Sequence, residues 1–175
     1  IGLTLDEGGI PQTAQERVAH AEHILEKTLE YGIKKEDVII DCLTLTVSAQ
    51  QDQAKETLKA VREVHERLGL HCTLGVSNIS FGLPQRSHIN ESFLTQAMHC
   101  GLDLPIINPN ISGMMDAVFA YRVLAGEDEN SDAYIKRFSD QSAMAQKPES
   151  AQEKSEETIE SAVLKGLKEE VKKLT

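Results

Sequence analysis

A short apolar run, a polar loop, an amphipathic helix and then a glycine: this unit recurs four times along the first 126 residues. The apolar runs are Ile1–Leu5, Val38–Val47, Cys72–Ser77 and Leu104–Asn108. They are nearly continuous in apolar or β-branched residues, the pattern of strands covered on both faces. Gly32, Gly69, Gly101 and Gly126 follow the four helices and suit the left-handed residue that ends a helix. Strand then helix, repeated, predicts parallel strands joined by right-handed crossovers.

The helices carry their own punctuation. Thr13-Ala14-Gln15-Glu16 reads as a capping box, followed by an apolar stripe of Val18, Ala21, Leu25 and Leu29. The second helix is predicted from about Asp52 to Leu68, with Ala54, Leu58, Val61 and Leu68 inward. The third starts near Asn90 and buries Phe93, Leu94 and Ala97; the fourth follows Ser112 and buries Met114, Met115, Val118 and Phe119. A doubly wound sheet usually shows a glycine-rich turn after its first strand, and no GxGxxG or GxxxxGK[ST] occurs here. A (β/α)8 barrel needs about 31 residues per unit. The glycine intervals lie near that figure, so the expected fold is α/β, the C-terminal half of a TIM barrel spanning residues 1–140. The spacing allows a short helix over Ala133–Phe138. The Gln-, Ser-, Glu- and Lys-rich stretch 141–156 reads as a linker. Residues 157–175 read as one amphipathic helix, with Ile159, Val163, Leu167, Val171 and Leu174 on one side. A chain opening at Ile1 inside an apolar run reads as a segment of something longer.

Several function classes are disfavoured. A formal net charge of −10 argues against a nucleic-acid partner, which requires a basic face. No apolar run reaches the ~20 residues that cross a bilayer, so no membrane role is expected. Cys42, Cys72 and Cys100 are three in number and widely spaced, which suits reduced core thiols in a cytoplasmic protein. His20, His23, His65, His71, His88 and His99 make neither HExxH nor HxH, so no metal ligand set is expected. Ser48, Ser77 and Ser80 lie near strand ends without a GxSxG elbow.

In a parallel barrel the chemistry sits at the C-terminal ends of the strands. Asp41 interrupts Val38-Ile39-Ile40, and a carboxylate inside an apolar strand needs either a hydrogen-bonding partner or a ligand. Asn78 ends Gly75-Val76-Ser77-Asn78 and offers an acceptor and a donor together, suited to a nitrogen whose protonation changes. Against this stands an Asn that merely closes a turn. Arg86, in the following loop, is a solvated charge, an anion clamp or a stacking group. Asn108 and Asn110 frame Pro109, as turn formers or as ligand contacts.

Three segments resemble a known family. They are Asp41–Ala49, Gly75–Pro84, and Gly101–Asn110 followed by Met114-Met115. The resemblance is to the pterin-binding domain of cobalamin-dependent methionine synthase, shared with methyltetrahydrofolate:corrinoid methyltransferases and more distantly with dihydropteroate synthase. Residues 161–170 are similar to the opening helix of the cobalamin cap module. The resemblance implies a methyltransferase that binds 5-methyltetrahydrofolate and passes its N5 methyl to cob(I)alamin in methionine synthesis. It implies that Asp41 accepts from the pterin's N–H groups, that Asn78 is catalytic at the methyl-bearing nitrogen, and that Arg86 and Asn108 are further substrate contacts. Cobalamin would sit on a downstream module of the same parent chain. Zinc would belong only to a homocysteine domain outside this chain. The alternatives are a stand-alone corrinoid-protein methyltransferase, a dihydropteroate synthase-like enzyme, and a folate-binding docking module. The half barrel alone is expected to be inactive, because its two unpaired sheet edges invite self-association.

Overall fold

The computed structural model describes residues 1–145. Ile1–Tyr134 form one compact unit, and the remainder of the last helix belongs to a second. The order is β1 (Gly2–Leu3), α1 (Ala14–Glu30), β2 (Ile39–Asp41), α2 (Gln53–Leu68), β3 (His71–Gly75), α3 (Arg86–His99), β4 (Leu104–Ile106), α4 (Ser112–Leu124) and α5 (Asp132–Ala145). A 3₁₀ segment, Val76–Ser80, follows β3 directly. No helix among the described residues is long and apolar enough to cross a membrane.

The sheet is parallel throughout, in the order β1-β2-β3-β4. That order separates a barrel from a doubly wound sheet. Right-handed crossovers that always step the same way lay every helix on one face; a doubly wound sheet reverses direction and covers both. Here α1 packs on α2, α2 on α3, and α3 on α4, as one curved layer. Gly2 lies against Ile24 of α1, and Cys72 and Val61 of α2 are in contact, so these residues face the helices. The alternate residues face the other way. Leu3 (48% exposed), Leu104 (45%) and Ile106 (59%) leave that second face open. One apolar face packed and the other open is half of a (β/α)8 barrel.

The capping box at Thr13 forms as the sequence predicts: Thr13 Oγ1 accepts from Glu16 N (3.3 Å), and Thr13 N donates to Glu16 Oε2 (3.1 Å). The four helix-ending glycines all have positive φ. The strands are shorter than the apolar runs. The run Val38–Val47 yields only Ile39–Asp41, because Leu43 turns to φ 61 and breaks the extended chain. The run Cys72–Ser77 leaves the strand at Gly75. The third helix begins at Arg86, earlier than Asn90, so Arg86 is helical and not in a loop.

The inward face of α2 also differs. Gln53, Thr57, Ala60, Val61 and Val64 are buried, while Ala54, Leu58 and Leu68 are half-buried toward its flanks. Small residues let α2 approach the sheet, and the two polar ones have a buried partner described below. In α1, Leu29 is exposed. In α4 only Met114 is fully buried; Met115, Val118 and Phe119 are partly covered. Helix α5 continues through residues 141–145, where composition suggested linker. Its Gln, Ala and Met residues are good helix formers and need no packing to extend a helix. The rest of the expected linker, 146–156, and the expected terminal helix, 157–175, lie outside the described residues.

Gly101 combines φ +97 with the His65 ring, which lies 2.4 Å from where a Cβ would be. Gly101→Ala is expected to destabilise the unit by roughly 2 kcal/mol, from left-handed strain plus crowding. Urea unfolding checks this: the midpoint falls with the slope unchanged.

Candidate functional site

The strands share direction, so their C-terminal ends form one rim. Asp41 is the last residue of β2, in register with Leu3 on one side and Thr73 on the other. Its side chain therefore belongs to the open face. One carboxylate oxygen, Oδ1, accepts from Leu43 N at 2.9 Å. Burial pushes the carboxyl pKa up, and the Leu43 N–H pulls it partly back. A half-buried carboxylate with one oxygen bonded to backbone has its second oxygen to offer a ligand.

The loop behind Asp41 is held by Arg17, which sequence reasoning missed. Arg17 sits on α1 and is fully buried. Its Nε donates to Pro11 O (3.0 Å), and its Nη1 donates to Cys42 O (3.2 Å), Leu43 O (3.1 Å) and Thr57 Oγ1 (2.7 Å). Its Nη2 donates to Gln53 Oε1. Thr57 Oγ1 donates in turn to Leu43 O at 3.2 Å. Burial pulls the guanidinium pKa down, opposed by Cys42 and Glu56, but Arg keeps its charge in proteins. The signal was present. Ala14, Arg17, Val18 and Ala21 fall on one helical stripe, and an Arg inside an apolar stripe predicts a buried polar partner. Beside it, Thr44 Oγ1 is buried with no hydrogen-bond partner among the described residues.

Asn78 lies within the 3₁₀ segment, one turn beyond the strand end at Gly75, and does not itself close the strand as the sequence suggests. Its amide nitrogen comes within 2.9 Å of where a Cβ on Gly75 would stand, so the side chain folds back over the strand end. Gly75 is two residues past Thr73 on the face that Asp41 shares. Two strand residues rise about 6.7 Å and neighbouring strands lie about 4.8 Å apart, so Asp41 and Gly75 are roughly 8 Å apart. Asp41, at the end of β2, and Asn78, folded back over the end of the adjacent β3, thus stand at one rim, where the missing side chain of Gly75 makes room for the Asn78 amide.

Arg86 braces this turn. Its Nη2 donates to Ser77 O (2.7 Å), and its Nε donates to Ser80 Oγ (2.9 Å). Ser80, fully buried, donates to Asn90 Oδ1 at 2.7 Å. The guanidinium also lies 5.9 Å from the Phe81 ring centre. Asn108 lies past the end of β4, where Oδ1 accepts from Asn110 N (3.0 Å), the turn-forming role.

Cys42, Cys72 and Cys100 are buried free thiols. The bond to Cys72 and burial push the Cys42 thiol well up, which keeps it protonated and inert. Among the described residues no group of His, Cys, Asp or Glu is placed to hold a metal. A groove of about 650 Å³ between α2, α3 and α4, lined by Lys55, Leu58, Arg62 and Tyr121, includes none of the rim residues.

Residues 6–108 match the family model described as pterin binding enzyme. The chain is 31% identical over 141 residues to a methylcorrinoid:tetrahydrofolate methyltransferase of Eubacterium limosum, covering 79% of this chain and 51% of that protein. It is 37% identical over 116 residues to methionine synthases of Mycobacterium leprae and Mycobacterium tuberculosis, covering 62% of this chain and 10% of each. The chain thus spans about half the length of the first relative and about a tenth of the others.

The bracing of the Asn78 turn is testable without ligand. Phe81 N donates to Asn78 O at 3.2 Å. Arg86→Ala removes two bonds from this turn and is expected to speed exchange of the Phe81 amide about tenfold, equivalent to about 1.4 kcal/mol. Hydrogen exchange followed by NMR checks it, with α2 amides as the unchanged reference.

Proposed function

The chain belongs to the pterin-binding enzyme family, and on that premise we propose that its rim binds the pterin of 5-methyltetrahydrofolate for methyl transfer with a corrinoid. The observation that carries this reading is Asp41 at the end of β2 and Asn78 folded back over the end of the adjacent β3, at one rim, with Gly75 leaving room for the Asn78 amide. The names of the relatives support folate and corrinoid as the two parties. The chemistry of the donors fits a pterin: a carboxylate oxygen for N–H groups on one edge, and an amide for a nitrogen on the other.

Methyl transfer from N5 leaves the bonding electron pair on that nitrogen. A tertiary amine leaves poorly, so N5 must gain positive character before or during the transfer. Asn78 offers its carbonyl to a protonated N5 and its NH2 to a neutral one, so its amide follows the proton. A bond that strengthens as charge changes lowers the barrier without tightening ground-state binding. Asp41 orients the ring, and Arg86 holds the turn that carries Asn78, with a ring contact of its own proposed. Asn108 is proposed as a second-edge contact, through the amide nitrogen that its turn does not use. A corrinoid, when presented at the rim by a cobalamin-binding module, supplies the cobalt that accepts or donates the methyl.

Two measurements in the full-length protein test this reading. Asn78→Ala is expected to lower the rate of methyl transfer between 5-methyltetrahydrofolate and cob(I)alamin by roughly 30- to 1,000-fold, or about 2–4 kcal/mol. The Kd for the folate should change by less than about threefold; equal losses in rate and affinity would remove the transition-state role.

Asp41→Asn is expected to weaken folate binding by roughly 10- to 100-fold, the loss of a charge-assisted contact. It should at the same time stabilise the fold at neutral pH. The Asp41 pKa is raised on folding, so its ionisation weighs against the folded state. The gain from Asn is absent below the unfolded pKa, grows as pH rises through the folded pKa, and is constant above it. Urea midpoints between pH 3 and pH 8 measure the trend. A variant that gains stability while losing affinity marks a carboxylate kept for binding.

A further inference from the structure

We propose that Arg17, with Thr57, is a positioning residue for the pterin carboxylate: together they hold Leu43 in the left-handed conformation that aims Asp41 at the ligand. This rests on the reading that Asp41 binds the pterin.

Leu43 has φ 61, a region that a leucine leaves unless its surroundings hold it there. Both ends of the residue are held. Its N–H donates to Asp41 Oδ1 at 2.9 Å. Its carbonyl accepts from Arg17 Nη1 (3.1 Å) and from Thr57 Oγ1 (3.2 Å). The bond on the nitrogen is the one that orients the carboxylate. The two bonds on the oxygen keep that nitrogen where it is. If they are lost, Leu43 relaxes toward extended backbone, its N–H swings off Asp41, and the carboxylate loses its fixed aim.

A simpler role for Arg17 is filling the space between α1 and α2, but its chemistry argues against that. It is fully buried, and its hydrogen bonds go to neutral acceptors in three separate segments. Burying an unpaired charge is unfavourable, and apolar residues of similar volume commonly pack as well or better. A guanidinium is suited to this place because one planar fork reaches several carbonyls at once. Thr57 and Gln53, polar residues on the inward face of α2, supply the remaining acceptors, so two helices contribute to fixing one peptide.

The test uses the full-length protein, with 5-methyltetrahydrofolate affinity measured by calorimetry and the Asp41 carboxyl titration followed by ¹³C NMR. Thr57→Val keeps the shape and removes one bond to Leu43 O. It is expected to weaken the folate about five- to tenfold, and Arg17→Lys at least as much. Leu43→Gly removes the left-handed strain. It is expected to leave wild-type affinity within about twofold and to restore most of the Thr57→Val loss. The Asp41 titration should move up in Thr57→Val and return in the double variant, a readout that a packing defect does not produce.

Thr57→Val that folds with unchanged affinity and unchanged Asp41 titration overturns the proposal. So does a loss of the same size in the Leu43→Gly background. If Asp41→Asn itself binds as wild type, the underlying reading of the site fails instead. Should Arg17→Lys not fold, Thr57→Val and its rescue decide alone.

Discussion

The buried guanidinium of Arg17 joins parts of the chain that no strand pairing connects. Its donors reach the loop before α1 at Pro11, the end of β2 at Cys42 and Leu43, and two side chains of α2. Cys42 O is buried and takes a hydrogen bond from Arg17, and Leu43 O shares Arg17 with Thr57 Oγ1, so the turn after the short strand depends on this guanidinium. An unpaired buried carbonyl costs about as much as a hydrogen bond contributes, so one residue decides whether this corner is tolerable. The second half of the network reaches α2 again: Gln53 Nε2 donates to Gln12 O, and Glu56 accepts from Ala14 N at the first turn of α1. The first two βα units are therefore locked at their rim end by polar contacts, and below it by Val18, Ala21, Val61 and Val64.

The sequential order of the strands then determines where chemistry can sit. With helices on one side, the other face is the barrel interior, and residues of one parity along each strand look into it. Asp41 and Thr73 are paired in that row, with Leu3 and Leu104 as neighbours. Thr73 donates to Leu104 O and closes the seam between β3 and β4. The polar member left to face the rim is Asp41. Two residues further along β3, Gly75 leaves room for the Asn78 amide, whose nitrogen lies 2.9 Å from where a Cβ on Gly75 would be. A carboxylate beside a folded-back amide is thus a consequence of register.

Much of this was legible in the sequence, and the reasons differ by residue. The start of α1 and the C-terminal ends of the first four helices were legible because they rest on local chemistry: the Thr13–Glu16 box and the four glycines act within a few residues of themselves. Asp41 and Asn78 were legible because polar residues stand out in apolar runs. The strand lengths were not. Val47 and Leu45 continue the apolar pattern, yet the chain bends at Leu43, and that bend depends on Arg17, 26 residues earlier. The inward face of α2 was read only in part for the same reason: Ala54, Leu58, Val61 and Leu68 do pack on the core, but Gln53 and Thr57 are buried with them. Leu58 looks more apolar than Thr57, but Thr57 is buried because Arg17 needs an acceptor there. Hydrophobic periodicity finds the face that packs; it does not find a face built around a buried charge. The interruption by Arg17 is visible in α1 alone; that Gln53 and Thr57 on α2 answer it is visible only when the helices are read as a pair.

The distribution of unfavourable features supports a functional rather than a structural reason for this corner. The end of β2 gathers a carboxylate whose ionisation opposes folding, a leucine in left-handed backbone, a buried guanidinium whose hydrogen bonds go to neutral groups and a hydroxyl on Thr44 with no partner among the described residues. Each is destabilising by itself, and apolar or glycine replacements would relieve most of them. The end of β4 shows none of this: Asn108 Oδ1 accepts from Asn110 N in an ordinary turn. A sequence selected for stability alone has no cause to concentrate such costs on one strand end. Features of this kind persist where binding needs a fixed geometry that the unstrained chain does not adopt. Their concentration here supports the proposal that the β2 end and the adjoining Asn78 turn carry the main pterin contacts, with Asn108 at the β4 end as the second edge.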